Sequence, residues 1–381
     1  MHSAEPQSVS AIVGQIRRAI FSPLARGWQI VVVALMAASF AGCDSSKPEP
    51  KARWEQLPAI PDAEGFAGSF AGVVEGALIV AGGANISGDK WTEPPRKKWH
   101  DSVFVLEQPD GAWTKGFMLP RALGYGVSVT LPQGLACIGG SDADRHSADC
   151  FLIERRKGRI ATKAMPPLPK PCANACGALV GDSIYVAGGI ETPDATVAMK
   201  TFWKFTPGPD LAGAWEELEP WPGPERMLSV AGSFGGSFYL FGGARLKPGP
   251  DGKPVREYLR DAYRFTPGKG WRQIAEMPRA AVAAPSPAIV DGARLLVASG
   301  DDGTKVDFQP VSGHPGFPRA VVAYDTERFQ WMDAGEVPFS RATAPVVEWF
   351  GRSVILNGEV RPRVRTPEVW AIEAQGAATV K

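Results

Sequence analysis

The chain has 381 residues, with 41 Lys+Arg against 40 Asp+Glu, 21% charged and 44% hydrophobic. This balance excludes a disordered acidic or basic chain, a polytopic membrane protein and a dedicated nucleic-acid binder, which needs a basic surplus to displace counterions. Glycine (43) and proline (35) are abundant beside 12 tryptophans, a composition of many turns and aromatic strands that predicts an all-β protein.

The first 42 residues read as an address. A polar segment with Arg17, Arg18 and Arg26 leads into an apolar run from Trp28 to Gly42. That run is shorter than the roughly 20 residues a spanning helix needs. Charge, apolar core and small residues before Cys43 predict a secretory signal over residues 1–42. Phe40-Ala41-Gly42-Cys43 resembles a bacterial lipobox, which implies a lipidated Cys43. By the same resemblance, Asp44 implies retention at the inner membrane, with residues 43–52 as a tether and the body outside the cytoplasm. An uncleaved anchor or a non-lipidated secreted protein are the other readings of this segment.

A repeat follows. Short apolar strands ending in glycine pairs recur at Gly83, Gly140, Gly189 and Gly243, with degenerate copies at Gly300 and Gly358, every 49 to 58 residues. A period near 50 with a Gly-Gly signature resembles the kelch repeat, whose unit is a four-stranded propeller blade. A small-residue strand precedes each glycine strand. An aromatic strand follows it, carrying Phe104, Phe151, Trp203, Tyr263, Tyr324 or Trp370, and then a fourth strand with Trp113, Trp215, Trp271 or Trp331. Such regular tryptophans are expected to pack blade on blade. The sixth repeat lacks its fourth strand, and Arg53–Leu57 is expected to supply it beside Glu368–Ile372. Residues 53–381 are therefore read as one six-bladed kelch β-propeller, closed by its N-terminal strand so that no sheet edge stays open.

Four cysteines lie in this body, Cys137, Cys150, Cys172 and Cys176, and permit three disulfide connectivities. Cys137 and Cys150 fall on adjacent strands of the second blade and are the expected pair. No metal or cofactor is expected: the CxxxC at 172–176 has no second ligand pair, and the four histidines show no ligand spacing.

The rule breaks in the sixth blade. The residue after the glycine is Ala84, Ser141, Ile190, Ala244 and Asp301 in blades one to five, and Glu359 in the last. A short arginine-rich segment follows it, Val360-Arg361-Pro362-Arg363-Val364-Arg365-Thr366. A local departure from a repeat marks either a functional site or a surface ion pair that pins a hairpin. Asn357-Gly358-Glu359 followed by Arg365-Thr366 resembles the signature of kelch-type N-acetylneuraminate epimerases, the sialic acid mutarotases. Phe66–Gly72 and Arg121–Ser128 are similar to segments that follow this blade in other members, so the chain looks like a cyclically permuted branch of that family.

The resemblance implies Glu359 as general acid/base and Arg365 as clamp for a sugar carboxylate, with anomer interconversion as the activity. Arg361, Arg363 and Arg121 are further expected contacts, and alternation along an extended strand would put Arg361, Arg363 and Arg365 on one face. The long loops Ala84–Asp101, Ala244–Arg260 and Asp301–Pro318 are expected to emerge at one end and roof a pocket. A sialidase is disfavoured because its Asp-box is approached only at Ser299–Gly303, without the Thr-Trp. A copper oxidase is disfavoured by too few histidines. The alternative from another class is a non-catalytic, lipid-anchored propeller that binds a glycan or a protein. The expected partner is a small acidic sugar, with no nucleic acid and with membrane contact through the lipid alone.

Overall fold

Six four-stranded antiparallel sheets follow one another along the chain in the computed structural model, which describes residues 53–249 and 251–373. The signal, the lipobox with Cys43 and the tether expected at its end lie outside the described residues. In blade 1 the order is Phe70–Val74, Ala77–Ala81, Ser102–Leu106 and Thr114–Met118. Blades 2 to 5 repeat this order with innermost strands Val127–Leu131, Cys176–Val180, Val230–Phe234 and Ile289–Asp291. Blade 6 runs Val346–Trp349, Arg352–Leu356 and Val369–Glu373, and its outer strand is Trp54–Leu57. Trp54 stands opposite Ile372 and Leu57 opposite Val369, so the two ends of the body close the ring as expected.

The burial gradient follows from this geometry. The second strands Ala77–Ala81, Gly134–Ile138 and Ser237–Phe241 are buried at every residue, and those of the other three blades at every residue after the first. They are covered on both faces by neighbouring blades, which is why they read as continuous apolar runs. The outer strand Thr114–Met118 is mostly exposed. The fourth-strand tryptophans do bind blade to blade. The indole N–H groups of Trp113, Trp215, Trp271 and Trp331 donate to Pro58, Pro166, Glu219 and Ala275 carbonyls at 2.8–2.9 Å.

A second ring lies inside the first. Gly68, Tyr125, Asn174, Leu228, Ala283 and Thr343 each open an innermost strand, and each has left-handed backbone, φ 49–67°. Tyr125 N–H donates to Gly68 O, Asn174 to Tyr125, Leu228 to Asn174, Ala283 to Leu228, Thr343 to Ala283 and Gly68 to Thr343, all at 2.7–2.9 Å. Six backbone hydrogen bonds thus close a hoop around the axis and satisfy groups that would otherwise be orphaned. The glycine pairs dock just outside it. At Gly82 a Cβ would stand 2.1 Å from Leu123 O, and φ is +65°, so only glycine fits both the bend and the approach of the next blade.

The expected Cys137–Cys150 bond is not made. Cys137 lies opposite Phe151 and Cys150 opposite Ile138, one register step apart, so their side chains leave the sheet on opposite faces. Cys137 enters the core between blades 1 and 2, and Cys150 the core between blades 2 and 3. All four body cysteines are free and buried. Burial pushes all four thiols up, Cys150 and Cys176 to about 12. They should therefore resist alkylation in the folded protein and titrate as four thiols in denaturant without reductant. Cys137→Ser should lower that count to three, whereas a parent count of two that rises to three in Cys137→Ser would restore the disulfide.

Candidate active site

Glu359 is placed by the register that the glycine pairs impose. It exchanges backbone hydrogen bonds with Ala342, both 2.8 Å, and Ala342 precedes the hoop residue Thr343. Ala84, Ser141, Ile190, Ala244 and Asp301 make the same bridge in the other blades. These six residues crown the hoop at one end of the propeller. An axial cavity below them is lined by Gly68, Ser69, Tyr125, Asn174, Leu228 and Thr343, among others.

The segment after Glu359 is a hairpin. Glu359–Arg361 and Val364–Arg365 pair, with Glu359 opposite Arg365 and Arg363 in the turn at φ +70°. Glu359 Oε1 accepts the Arg363 N–H at 2.6 Å and stands 3.0 Å from Arg365 Nη1. The carboxylate therefore both caps the turn and faces the guanidinium. Arg365 is 8% exposed, and its Nε and Nη1 have no hydrogen-bond partner among the described residues. The Nη1 contact with Glu359 is a charge contact that lacks hydrogen-bond alignment. Burial works against the Arg365 charge, but Glu359 and the Tyr125 hydroxyl outweigh it, so its pKa lies above the ordinary arginine value. A buried cation with two unpaired donors is costly alone and is ready for an incoming anion.

The three arginines of the hairpin do not share a face, because the turn at Arg363 interrupts the strand. Arg361 Nη1 donates to the Ser312 and His314 carbonyls at 2.9 and 3.4 Å, and its guanidinium lies over Trp91. Arg363 donates to the Lys90 carbonyl and the Glu93 carboxylate. Both tie loops of blades 5 and 1 to the hairpin, and of the three only Arg365 keeps unpaired donors that are buried. Arg121, another expected contact, is held by Asp142, Ser147 and Asp149. It belongs to a repeated clamp in which an arginine entering a blade grips the start of that blade's third strand. Arg226 binds Asp261, Arg279 the Ala320 carbonyl and Arg341 Glu368 in the same way.

The long loops do rise at this end, two of them as ribbons, Ala84–Ile86 with Lys97–Trp99 and Ala244–Pro248 with Pro254–Tyr258. Three residues near this end were missed by sequence reasoning. Tyr125 lines the axial cavity, Lys97 Nζ lies 4.3 Å over the Tyr125 ring, and Asp301 accepts the Tyr258 hydroxyl at 2.7 Å. The available signals were an aromatic between two glycines, Gly124-Tyr125-Gly126, and an acid at the register position of Glu359 in the adjacent blade.

Fold and site together describe a six-bladed propeller with a carboxylate–guanidinium pair beside the hoop that surrounds its axis. The chain is similar to N-acetylneuraminate epimerases: the model of that family matches residues 46–158. A protein of that name from Haemophilus influenzae (strain PittEE) is 29% identical over 241 residues, 57% of this chain and 60% of the relative. One from Yersinia pestis (strain Pestoides F) is 29% identical over 237 residues, 55% of this chain and 58% of the relative. The chain thus spans about three-fifths of the length of these curated relatives. The solved structure of YjhT superposes over 84% of this chain and 98% of its own, with a TM-score of 0.62 at 16% identity, a likeness of fold.

Proposed function

We propose that this protein is a mutarotase that interconverts the anomers of N-acetylneuraminate or a related acidic sugar, and that it works outside the cytoplasm, held to the inner membrane by lipid on Cys43. The observation that carries the reading is Arg365, buried beside Glu359 with two donors unpaired. Mutarotation opens a hemiketal and recloses it on the other face. Glu359 takes the anomeric hydroxyl proton as the ring C–O bond breaks, and the ring oxygen receives a proton from water or a neighbouring acid. The open ketone then recloses with the proton transfers reversed. Arg365 presents its charge and its unpaired Nε–H to the sugar carboxylate, on the edge that Nε shares with Nη2 and that can bind a carboxylate through two parallel hydrogen bonds. No cofactor is needed for these steps. The similarity to N-acetylneuraminate epimerases supports the choice of sugar.

The test is NMR of freshly released α-N-acetylneuraminate with and without residues 51–381. Acceleration above the buffer rate supports the proposal. Binding without acceleration would instead identify a glycan-binding module. Arg365→Lys keeps the charge but loses the fork, so it should weaken binding of the acidic sugar about tenfold while leaving a neutral aldose nearly unaffected. Equal weakening of both sugars would remove Arg365 from the carboxylate. Lipidation has its own readout. The full chain should partition into detergent, and Cys43→Ser should abolish both processing and partitioning, since several acyl chains anchor stably where one does not. Aqueous partitioning of the unmutated chain would refute the anchor.

A further inference from the structure

We infer that the propeller docks on a lipid surface through the end opposite Glu359, with Phe329 and Phe350 seated in the headgroup layer, so that the crown opens away from the membrane. The inference deepens the proposed anchoring through Cys43 and rests on that reading for the choice of a membrane as partner.

The register fixes which end meets the tether. Trp54 stands opposite Ile372, Ile372 opposite Ser353 and Ser353 opposite Glu348. One residue further out, the Glu373 N–H donates to Arg53 O at 3.4 Å, and Arg352 stands opposite both Glu373 and Trp349. The described chain therefore enters level with the Phe350 turn, whereas Glu359 follows Leu356 at the other end of these strands. Nine residues, 44–52, separate Cys43 from Arg53 and reach ~35 Å at full extension. To bring the crown to the surface instead, the tether would have to run past a five-residue strand and a five-residue ribbon, about 35 Å again and its whole length.

Side chains at this end break the repeat. In five blades the turn joining the first two strands opens on a left-handed residue: Glu75, Gly181, Gly235, Gly292 and Phe350, at φ 49–58°. Glycine is the ordinary choice there, and phenylalanine is unfavourable. Phe350 is 55% exposed, so burial does not offset the strain. In the neighbouring blade Phe329 closes the turn between Asp325 and Gln330 at φ 57° and is 56% exposed. Two exposed aromatics on adjacent blades, at the end where the tether enters, match the boundary between headgroups and acyl chains. Neighbours hold both rings: Trp349 meets Phe350 edge-on at 5.0 Å, and the Arg264 guanidinium lies 5.8 Å from the Phe329 ring.

Charge adds to this on blade 2. Its outer turn at the same end reads Arg156-Lys157-Gly158-Arg159, exposed throughout, with Arg156 opposite Arg159. Anionic headgroups attract such a tip. Acids occupy other turns of this end, Glu75, Asp182 and Glu327, so the attraction belongs to the tip and not to the whole face.

The experiment uses the full chain on vesicles of phosphatidylethanolamine and phosphatidylglycerol whose headgroups carry a nitroxide quencher. A genetically encoded fluorescent residue replaces Gln133, on an exposed turn of the docking end, or Val197, exposed in the crown loop of blade 3. Quenching should be strong at 133 and near zero at 197. Phe329→Asn with Phe350→Asn should remove most of the quenching at 133. Thermal unfolding should stay at or above the parent's, because asparagine accepts left-handed backbone. Lys157→Glu with Arg159→Glu should weaken quenching at 133 on these vesicles and leave it unchanged on phosphatidylcholine alone. Equal quenching at both positions, stronger quenching at 197, or undiminished quenching at 133 in the double asparagine variant overturns the inference. A Cys43 without acyl mass, with the contrast between 133 and 197 kept, would sink the anchor alone and leave the docking face standing. A chain that does not meet the vesicles at all overturns both.

Discussion

Glu359→Gln should lower anomer turnover by about 10²–10⁴-fold while sugar affinity stays near the parent value. The substitution is close to isosteric. The Gln carbonyl can still accept the Arg363 N–H that Glu359 Oε1 accepts at 2.6 Å, so the hairpin turn should survive. It can also face Arg365 without charge. What is lost is the base, because an amide cannot take the anomeric proton. Circular dichroism and thermal unfolding close to parent, together with exchange near the buffer rate, are the expected pair of results. Retention of most of the activity would move the base elsewhere, and Asp301 would be the first residue to examine. It makes the same bridge in the neighbouring blade, Val282 to Asp301 as Ala342 to Glu359. A uniform loss of affinity with no kinetic effect would favour a binding module.

The blades were legible in the sequence because a glycine pair needs left-handed backbone and close approach, and few other residues supply both. Even the degenerate copies keep the geometry: Ser299 and Asn357 replace the first glycine at φ 57° and 45°. Closure was legible because a missing strand at one end matched a spare one at the other. Side-chain direction was harder to read. Cys137 and Cys150 were rightly placed on neighbouring strands, but one step of register turned them to opposite faces. Arg361, Arg363 and Arg365 alternate in sequence, yet a left-handed residue in a tight turn broke the alternation.

Arginine is the residue type that sequence separates least well, and its buried copies differ in how far their donors are filled: Arg341 on Glu368 and Arg365 beside Glu359 each leave Nε and Nη1 unpaired, and Arg226 leaves none. Arg226 is 0% exposed, as buried as the core leucines, yet every polar nitrogen is bonded. Nε donates to Pro224 O at 3.2 Å, Nη1 to Gly242 O and Asp261 Oδ1 at 2.9 Å, and Nη2 to Asp261 Oδ2 at 2.6 Å. The guanidinium also lies 5.3 Å from the Trp221 and Tyr263 rings. It binds the connection leaving blade 3 to the third strand of blade 4, far around the ring from Glu359. Removing it leaves Asp261 charged, largely buried and short of its partner, so Arg226→Ala should cost about 3–5 kcal/mol. The urea midpoint should fall with little change in slope, because the surface exposed on unfolding stays nearly the same. Arg226→Met with Asp261→Asn should recover much of the loss, since no unpaired charge remains and Asn can still accept the Tyr263 hydroxyl. Anomer exchange per folded molecule should match the parent in both variants. Arg365→Lys should behave in the opposite way, with stability kept and acid binding weakened, because the Arg365 donors are unpaired where those of Arg226 are filled. A double variant no more stable than Arg226→Ala would show that lost packing against Trp221 and Tyr263, rather than the stranded carboxylate, sets the cost.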